Sequence, residues 1–71
     1  MFDGYVRESI MPPYDNIERG DLVNIRLKEG RKISKGKIFA INKDSFEVEF
    51  NNETIRILHS DIIEIYRIHK N

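Results

Sequence analysis

Residues 20–50 read GDLVNIRLKEGRKISKGKIFAINKDSFEVEF, and this stretch decides the fold. It contains three runs rich in apolar residues, separated by two turns that carry charge together with glycine or asparagine. A two-residue alternation of apolar and polar residues is typical of antiparallel strands with one buried face. In the first and third runs it places these residues in the core: Val23, Ile25, Leu27, Phe46, Val48 and Phe50.

The second run breaks the alternation, because Ile38 and Ile41 are three residues apart and a regular strand would place them on opposite faces. A β-bulge near Phe39 and Ala40 resolves the conflict. The preceding residues 28–34 are charged and surround Gly30, which favours a loop with its tightest turn at Glu29 and Gly30. Together with the runs that follow, the pattern predicts five strands, at residues 22–27, 36–42, 46–50, 53–58 and 62–68.

The two ends of the chain complete this all-β arrangement. His59, Ser60 and Asp61 favour one turn of 3₁₀ helix before the last strand. Pro12 and Pro13 exclude a helix from residues 1–19, which are predicted to form an extended arm. The arm either covers the barrel and the outer side of the last strand or binds a partner. Its apolar residues are Phe2, Tyr5, Val6, Ile10, Met11, Tyr14 and Ile17.

Composition limits the class of protein. The 71 residues suffice for one domain, predicted as an arm at residues 1–19 and a small β-barrel at residues 20–71. Twelve basic and twelve acidic residues give a net charge of zero, and the absence of cysteine excludes disulfides and a cysteine-based zinc site. Neither a membrane span nor a secretory signal is present in the sequence, so we expect a cytoplasmic protein that binds no membrane.

The order of these elements resembles the SH3-like small barrel: five short antiparallel strands, a charged first loop, a bent second strand and a 3₁₀ turn before the last strand. It resembles the Sm-like barrel less closely. The stretch GDLVNIRLKEGRKISKGKI also looks like the opening of ribosomal-type and transcription-factor barrels that bind RNA. Over its whole length the chain resembles the YorP-type family of small phage-derived proteins from Bacillus. That resemblance implies an SH3-like barrel and assigns no activity.

Catalytic and metal-binding residues are not indicated. His59 and Asp61 are near neighbours in one predicted turn, whereas a nucleophile, its base and the orienting group usually come from distant segments. His59 and His69 do not make up the four ligands of a recognised zinc spacing. We therefore predict a protein without enzymatic activity, cofactor or small-molecule substrate.

A group of basic residues in and after the first predicted loop is the candidate binding site. Lysine and arginine side chains neutralise phosphates, and a neighbouring aromatic ring, here Phe39 or Tyr66, can stack on a base. The alternatives are a solvated loop without a ligand, or a protein-interaction module or adaptor of phage origin. A nucleic-acid partner and a protein partner are not separable from the sequence, and a monomer is expected. The candidate nucleic-acid-binding residues are Lys28, Arg31, Lys32, Lys35 and Lys37.

Overall fold

The computed structural model describes residues 5–70, which fold as one antiparallel β-sheet with two single-turn 3₁₀ helices. Within these residues, no helix has the length and apolar character that crossing a membrane requires. The 3₁₀ turns are Lys28–Gly30 and His59–Asp61, and the second precedes the last strand as predicted. The strands are β1 (Tyr5–Ser9), β2 (Leu22–Leu27), β3 (Lys32–Ile41), β4 (Ser45–Phe50), β5 (Glu53–Leu58) and β6 (Ile62–Lys70).

The sheet has six strands in the order β1-β6-β2-β3-β4-β5, and it is open, with β1 and β5 at its edges. The all-β antiparallel prediction is confirmed, whereas the prediction of a closed barrel of five strands is wrong. The sixth strand comes from the predicted arm, where Arg7 lies opposite Ile68 and Ser9 opposite Tyr66 of β6. The sequence of β1 shows no alternation because none of the side chains of residues 6–9 is buried, and Val6 is 46% exposed.

One hydrophobic core lies on the inner face of this sheet. Because residues from β2 to β6 all belong to a single cluster, the sheet must curve around it. The connection between β1 and β2 closes the cluster with Ile10 and Ile17, which supports the prediction that the arm covers the core. The arm does not lie across the outer side of the last strand, because β1 pairs with the edge of β6. Phe2 and the side chain of Tyr5 lie outside the described residues. The buried residues are Ile10, Ile17, Val23, Ile25, Leu27, Ile33, Ile38, Phe46, Val48, Ile57 and Ile65.

Strand β3 is longer than the sequence predicts, because it begins at Lys32 and not at Gly36. Lys35 has a φ of 59° there, and this local irregularity shifts the pairing with β2. The bulge predicted near Phe39 and Ala40 is confirmed by a register shift between Ile38 and Ala40. The charged loop is consequently shorter than predicted, and part of the basic cluster lies on a strand.

The predicted turns and most of the predicted core are confirmed. Glu29 and Gly30 both have positive φ, at 65° and 75°, in the first 3₁₀ turn. Asn51 and Asn52, with φ of 53° and 62°, form the two-residue turn between β4 and β5. Of the six core residues predicted from alternation, Phe50 alone is half-buried; it packs against the edge of the core.

Candidate nucleic-acid interface

The outer face of the sheet carries a shallow depression where β1, β6, β2 and β3 lie side by side. Asn24 lies opposite Tyr66 and Arg26 opposite Glu64 between β2 and β6, while Lys32 of β3 lies opposite Arg26. The depression has a volume of about 360 Å³. It is lined by Arg7, Asn24, Ile25, Arg26, Lys32, Ile33, Ser34, Glu64 and Tyr66.

Three cationic side chains and one carboxylate line this outer-face depression. Arg26 forms an ion pair with Glu64 at 2.9 Å, and the Tyr66 hydroxyl donates a hydrogen bond of 3.1 Å to the same carboxylate. The Arg7 guanidinium lies 4.8 Å from the centre of the Tyr66 ring. Lys32 is exposed and has no acidic partner within 4.0 Å in the part of the chain that the structure describes. The depression therefore has an excess of positive charge beside an aromatic ring.

The five cations selected from the sequence do not converge on one site. Lys32 lines the outer-face depression, whereas Arg31 lines a depression beside β5. Lys35 and Lys37 line a third depression, at the turn between β4 and β5. Lys28 is exposed in the first 3₁₀ turn and lines none of these three. The cations diverge because successive side chains of a strand point to opposite faces of the sheet. The backbone irregularity at Lys35 changes the direction of the chain a second time.

Basic and acidic segments of the sequence are neighbours in the sheet. Lys37 of β3 lies directly opposite Glu49 of β4, although the two make no ion pair within 4.0 Å. Arg56 of β5 lies opposite Glu47 but is paired with Asp44, at 4.0 Å. The positive charge is therefore confined to limited parts of the surface, and the outer-face depression is one of them.

Both aromatic residues considered from the sequence are partly accessible. Phe39 is 47% exposed because the bulge points it outward, and it shares a depression of about 420 Å³ with Arg19 and Lys37. Tyr66 is half-buried under Arg7 in the outer-face depression. Of the two, Tyr66 has the larger group of cations around it.

Arg7 is the functional candidate that the sequence does not reveal, because its position depends on the pairing of β1 with β6. That backbone pairing is reinforced by Arg67, whose side chain is only 15% exposed. Arg67 Nε lies 3.1 Å from Asp21 Oδ2, Nη1 lies 3.4 Å from Glu8 Oε1, and Nη2 donates to the backbone carbonyl of Asn16. One guanidinium thus links β1, β6 and the connection between β1 and β2.

His59 takes part in packing. Its ring lies 4.5 Å from the ring of Phe46 and 5.0 Å from that of Tyr14, measured between centroids. Its Nε2 is buried and has no hydrogen-bond partner among the described residues. The His59 imidazole, considered from the sequence together with Asp61, therefore anchors the second 3₁₀ turn to the core.

In comparisons with known proteins, no family model, no curated protein and no solved structure matches this chain.

Proposed function

We propose that this chain is a small non-enzymatic binding domain that binds single-stranded nucleic acid at the outer-face depression. The observation that carries the proposal is the placing of Arg7, Arg26 and Lys32 around Tyr66 on an exposed sheet face. Single-strand binding combines cations that follow the phosphates with planar groups on which bases stack. The depression offers both kinds of group.

The roles of these side chains follow from their partners. Among residues 5–70, no carboxylate lies within 4.0 Å of the Lys32 ammonium group, which would therefore contact a phosphate directly. Arg7 rests over the Tyr66 ring, so that its guanidinium plane can stack on a base while the ring supports it from below. Asn24 is less available, since its Oδ1 accepts the backbone N–H of Lys35 at 2.8 Å. Glu64 holds Arg26 and Tyr66 in place.

A single strand fits this face better than a duplex. Residues 5–70 contain no helix longer than one turn, and the candidate site is a depression in the sheet face, whereas a major groove is entered by a protruding helix or two-stranded β-ribbon. Glu47 and Glu49 lie further along the sheet and would repel the second backbone of a duplex. The expected ligand is therefore a short single strand of RNA or DNA.

The single core on one face of the sheet and the 3₁₀ turn before β6 support an SH3-like fold. Kinship with the YorP-type family is proposed from the resemblance of the sequence. A cytoplasmic monomer of phage origin fits this proposal. A protein-interaction module or adaptor is the alternative, and it is favoured by the edge of β5, with which no further strand among residues 5–70 pairs. The two functions use different surfaces of the domain.

A binding survey at low salt tests the proposal, using fluorescent single-stranded RNA, single-stranded DNA and duplex DNA. We expect binding of a single strand that weakens with salt, with a log–log slope of about −0.7 per phosphate neutralised. Lys32→Glu should weaken the binding and flatten the slope. Arg31→Glu is the matched control, because Arg31 is the neighbour in sequence but lines a different depression.

Neither substitution should change the melting temperature appreciably, since exposed charges contribute little to folding. Absence of binding to all three probes would refute the function. Equal loss of affinity in Lys32→Glu and Arg31→Glu would refute the site, because it would indicate a diffuse effect of charge.

A further inference from the structure

Strand β5 is an edge of the sheet, and its hydrogen bonds to β4 determine which of its N–H and C=O groups point away from the sheet. The His59 N–H donates to the Asp44 carbonyl at 2.9 Å, and these two residues continue the register in which Phe46 lies opposite Ile57. Hydrogen-bonded pairs occur at every second position of an antiparallel ladder. The residues of β5 that bond to β4 are therefore Glu53, Ile55 and Ile57. It follows that Thr54, Arg56 and Leu58 direct their N–H and C=O groups away from β4.

No other strand among residues 5–70 pairs with this side of β5. A groove of about 510 Å³ runs beside it instead. The side chains of Leu27, Ile55, Ile57 and Leu58 supply its apolar lining, and its charged residues are Arg31, Arg56 and Asp61. An unpaired edge next to an apolar groove is the arrangement to which an extended peptide adds as a further strand.

Two arginines and one aspartate give the groove a positive bias. Arg31 has no acidic partner within 4.0 Å in the described part of the chain. Arg56 is 66% exposed, and its ion pair with Asp44 is 4.0 Å long. A carboxylate on an incoming strand would therefore find cations that the domain itself leaves largely unneutralised.

A second copy paired through its own β5 does not supply that carboxylate. Two β5 strands related by a two-fold axis can pair only through residues whose N–H and C=O groups point away from β4. This condition leaves two registers in which five residues of each strand are paired. One register places Arg56 opposite Arg56 of the copy, which is destabilising. The other places Arg56 opposite Thr54. Neither brings an acidic residue to Arg56.

We propose that β5 binds an extended peptide of a partner protein, in which apolar residues alternate with acidic ones. The backbone of the peptide would pair with Thr54, Arg56 and Leu58. Its apolar side chains would fill the groove and a carboxylate would lie opposite Arg56. This surface is separate from the outer-face depression, so the inference does not depend on nucleic-acid binding.

A blocked, fluorescein-labelled peptide with the β4 sequence, SFEVEF, is a suitable probe, because this sequence already pairs with the other side of β5 and places Glu47 opposite Arg56. Its counterpart SFKVKF, with lysine for both glutamates, is the control for charge. We expect the acidic peptide to bind roughly tenfold or more tightly than the basic peptide. On binding, the amides of Thr54, Arg56 and Leu58 should become protected from hydrogen exchange.

Two variants separate charge from backbone pairing. Arg56→Glu should reverse the preference, so that the basic peptide binds better than the acidic one. Thr54→Pro removes an N–H that the sheet itself does not use, and should weaken both peptides while the domain stays folded. Arg56→Glu keeps the backbone intact, so it also tests the inference if the proline variant does not fold.

Four outcomes would overturn the inference. These are failure of the acidic peptide to bind, binding without protection of the three amides, slow exchange of those amides in the free protein, and protection that depends on protein concentration alone. The last would identify a second copy as the occupant.

Discussion

The carboxylate of Glu8 in β1 lies 2.7 Å from Nε2 of His69 in the adjacent strand β6. Glu8 Oε1 also lies 3.4 Å from Nη1 of Arg67. The hydrogen bond with His69, more than the charge of Arg67, lowers the pKa of Glu8 below its ordinary value of 4.5. One side chain of β1 is thus tied to two side chains of the adjacent strand.

This pairing predicts a contribution to stability that depends on pH. The pKa of Glu8 is lower in the folded state, so its contribution is present above the unfolded pKa and is lost as the pH falls through the folded pKa. The wild-type protein should therefore lose stability below about pH 4.5 more steeply than Glu8→Gln. Urea melts between neutral pH and pH 3 would measure the difference. Parallel curves for the two proteins would contradict the prediction.

His69→Phe tests the cause of the shift directly. Removing the imidazole removes the largest influence on the carboxyl, so the pKa of Glu8 should rise toward 4.5. An NMR titration of the Glu8 side chain would follow it. An unchanged pKa would mean that Arg67 alone holds the carboxylate.

Truncation from the N-terminus should act in two stages. Deleting residues 1–9 removes β1, which leaves β6 as an unpaired edge and should promote association. Deleting residues 1–16 also removes Ile10, which is 3% exposed, and Tyr14. The second deletion should cost about 2–5 kcal/mol more, as expected for removal of a buried isoleucine. Sedimentation and urea melts of both proteins are the measurements. Equal stability of the two would mean that residues 10–16 do not close the core.

Gly36→Ala should destabilise the protein by about 1–3 kcal/mol through overpacking. A Cβ atom at Gly36 would lie 2.6 Å from Cγ1 of Val48 and 2.7 Å from Cγ2 of Ile33. Both neighbours are buried and β-branched, so neither can move aside easily. Ser34→Ala, two residues away on the exposed face, is the control and should change the free energy of unfolding by less than about 0.5 kcal/mol. Equal melts of the two variants would contradict the close packing.

Phe46 and Phe50 look equivalent in the alternation of β4 but should differ in their effect on stability. Phe46 is fully buried and contacts His59 and Tyr14, so Phe46→Ala should cost about 3–5 kcal/mol. Phe50 is half-buried, and its replacement by alanine should cost less than about 3 kcal/mol. Denaturant melts would rank them. A larger loss for Phe50→Ala would place the centre of the core at the other end of β4.

The strands that sequence predicts well are those whose side chains alternate between core and solvent. In β2 and β4 the buried positions Val23, Ile25, Phe46 and Val48 follow the two-residue period, because each strand has one face on the core. The bulge of β3 was predictable for the same reason, since Ile38 and Ile41 violated the period. These are local properties of the chain.

The existence of strand β1 and the open form of the sheet were not predicted from the sequence, because both depend on the tertiary structure. Residues 6–9 have no buried side chain, so the pairing of β1 comes from backbone hydrogen bonds and from Arg67, which is distant in sequence. The candidate site depends on the same long-range pairing: it brings Arg7 onto Tyr66, while strand geometry sends Arg31 and Lys32 to different depressions. The sequence by itself determined the buried positions of β2 and β4, because burial there follows the two-residue side-chain period, whereas Ile10, Ile17 and Ile33 joined the core through the tertiary structure. Only the tertiary structure decided which charges share a surface, because that depends on which strands lie side by side.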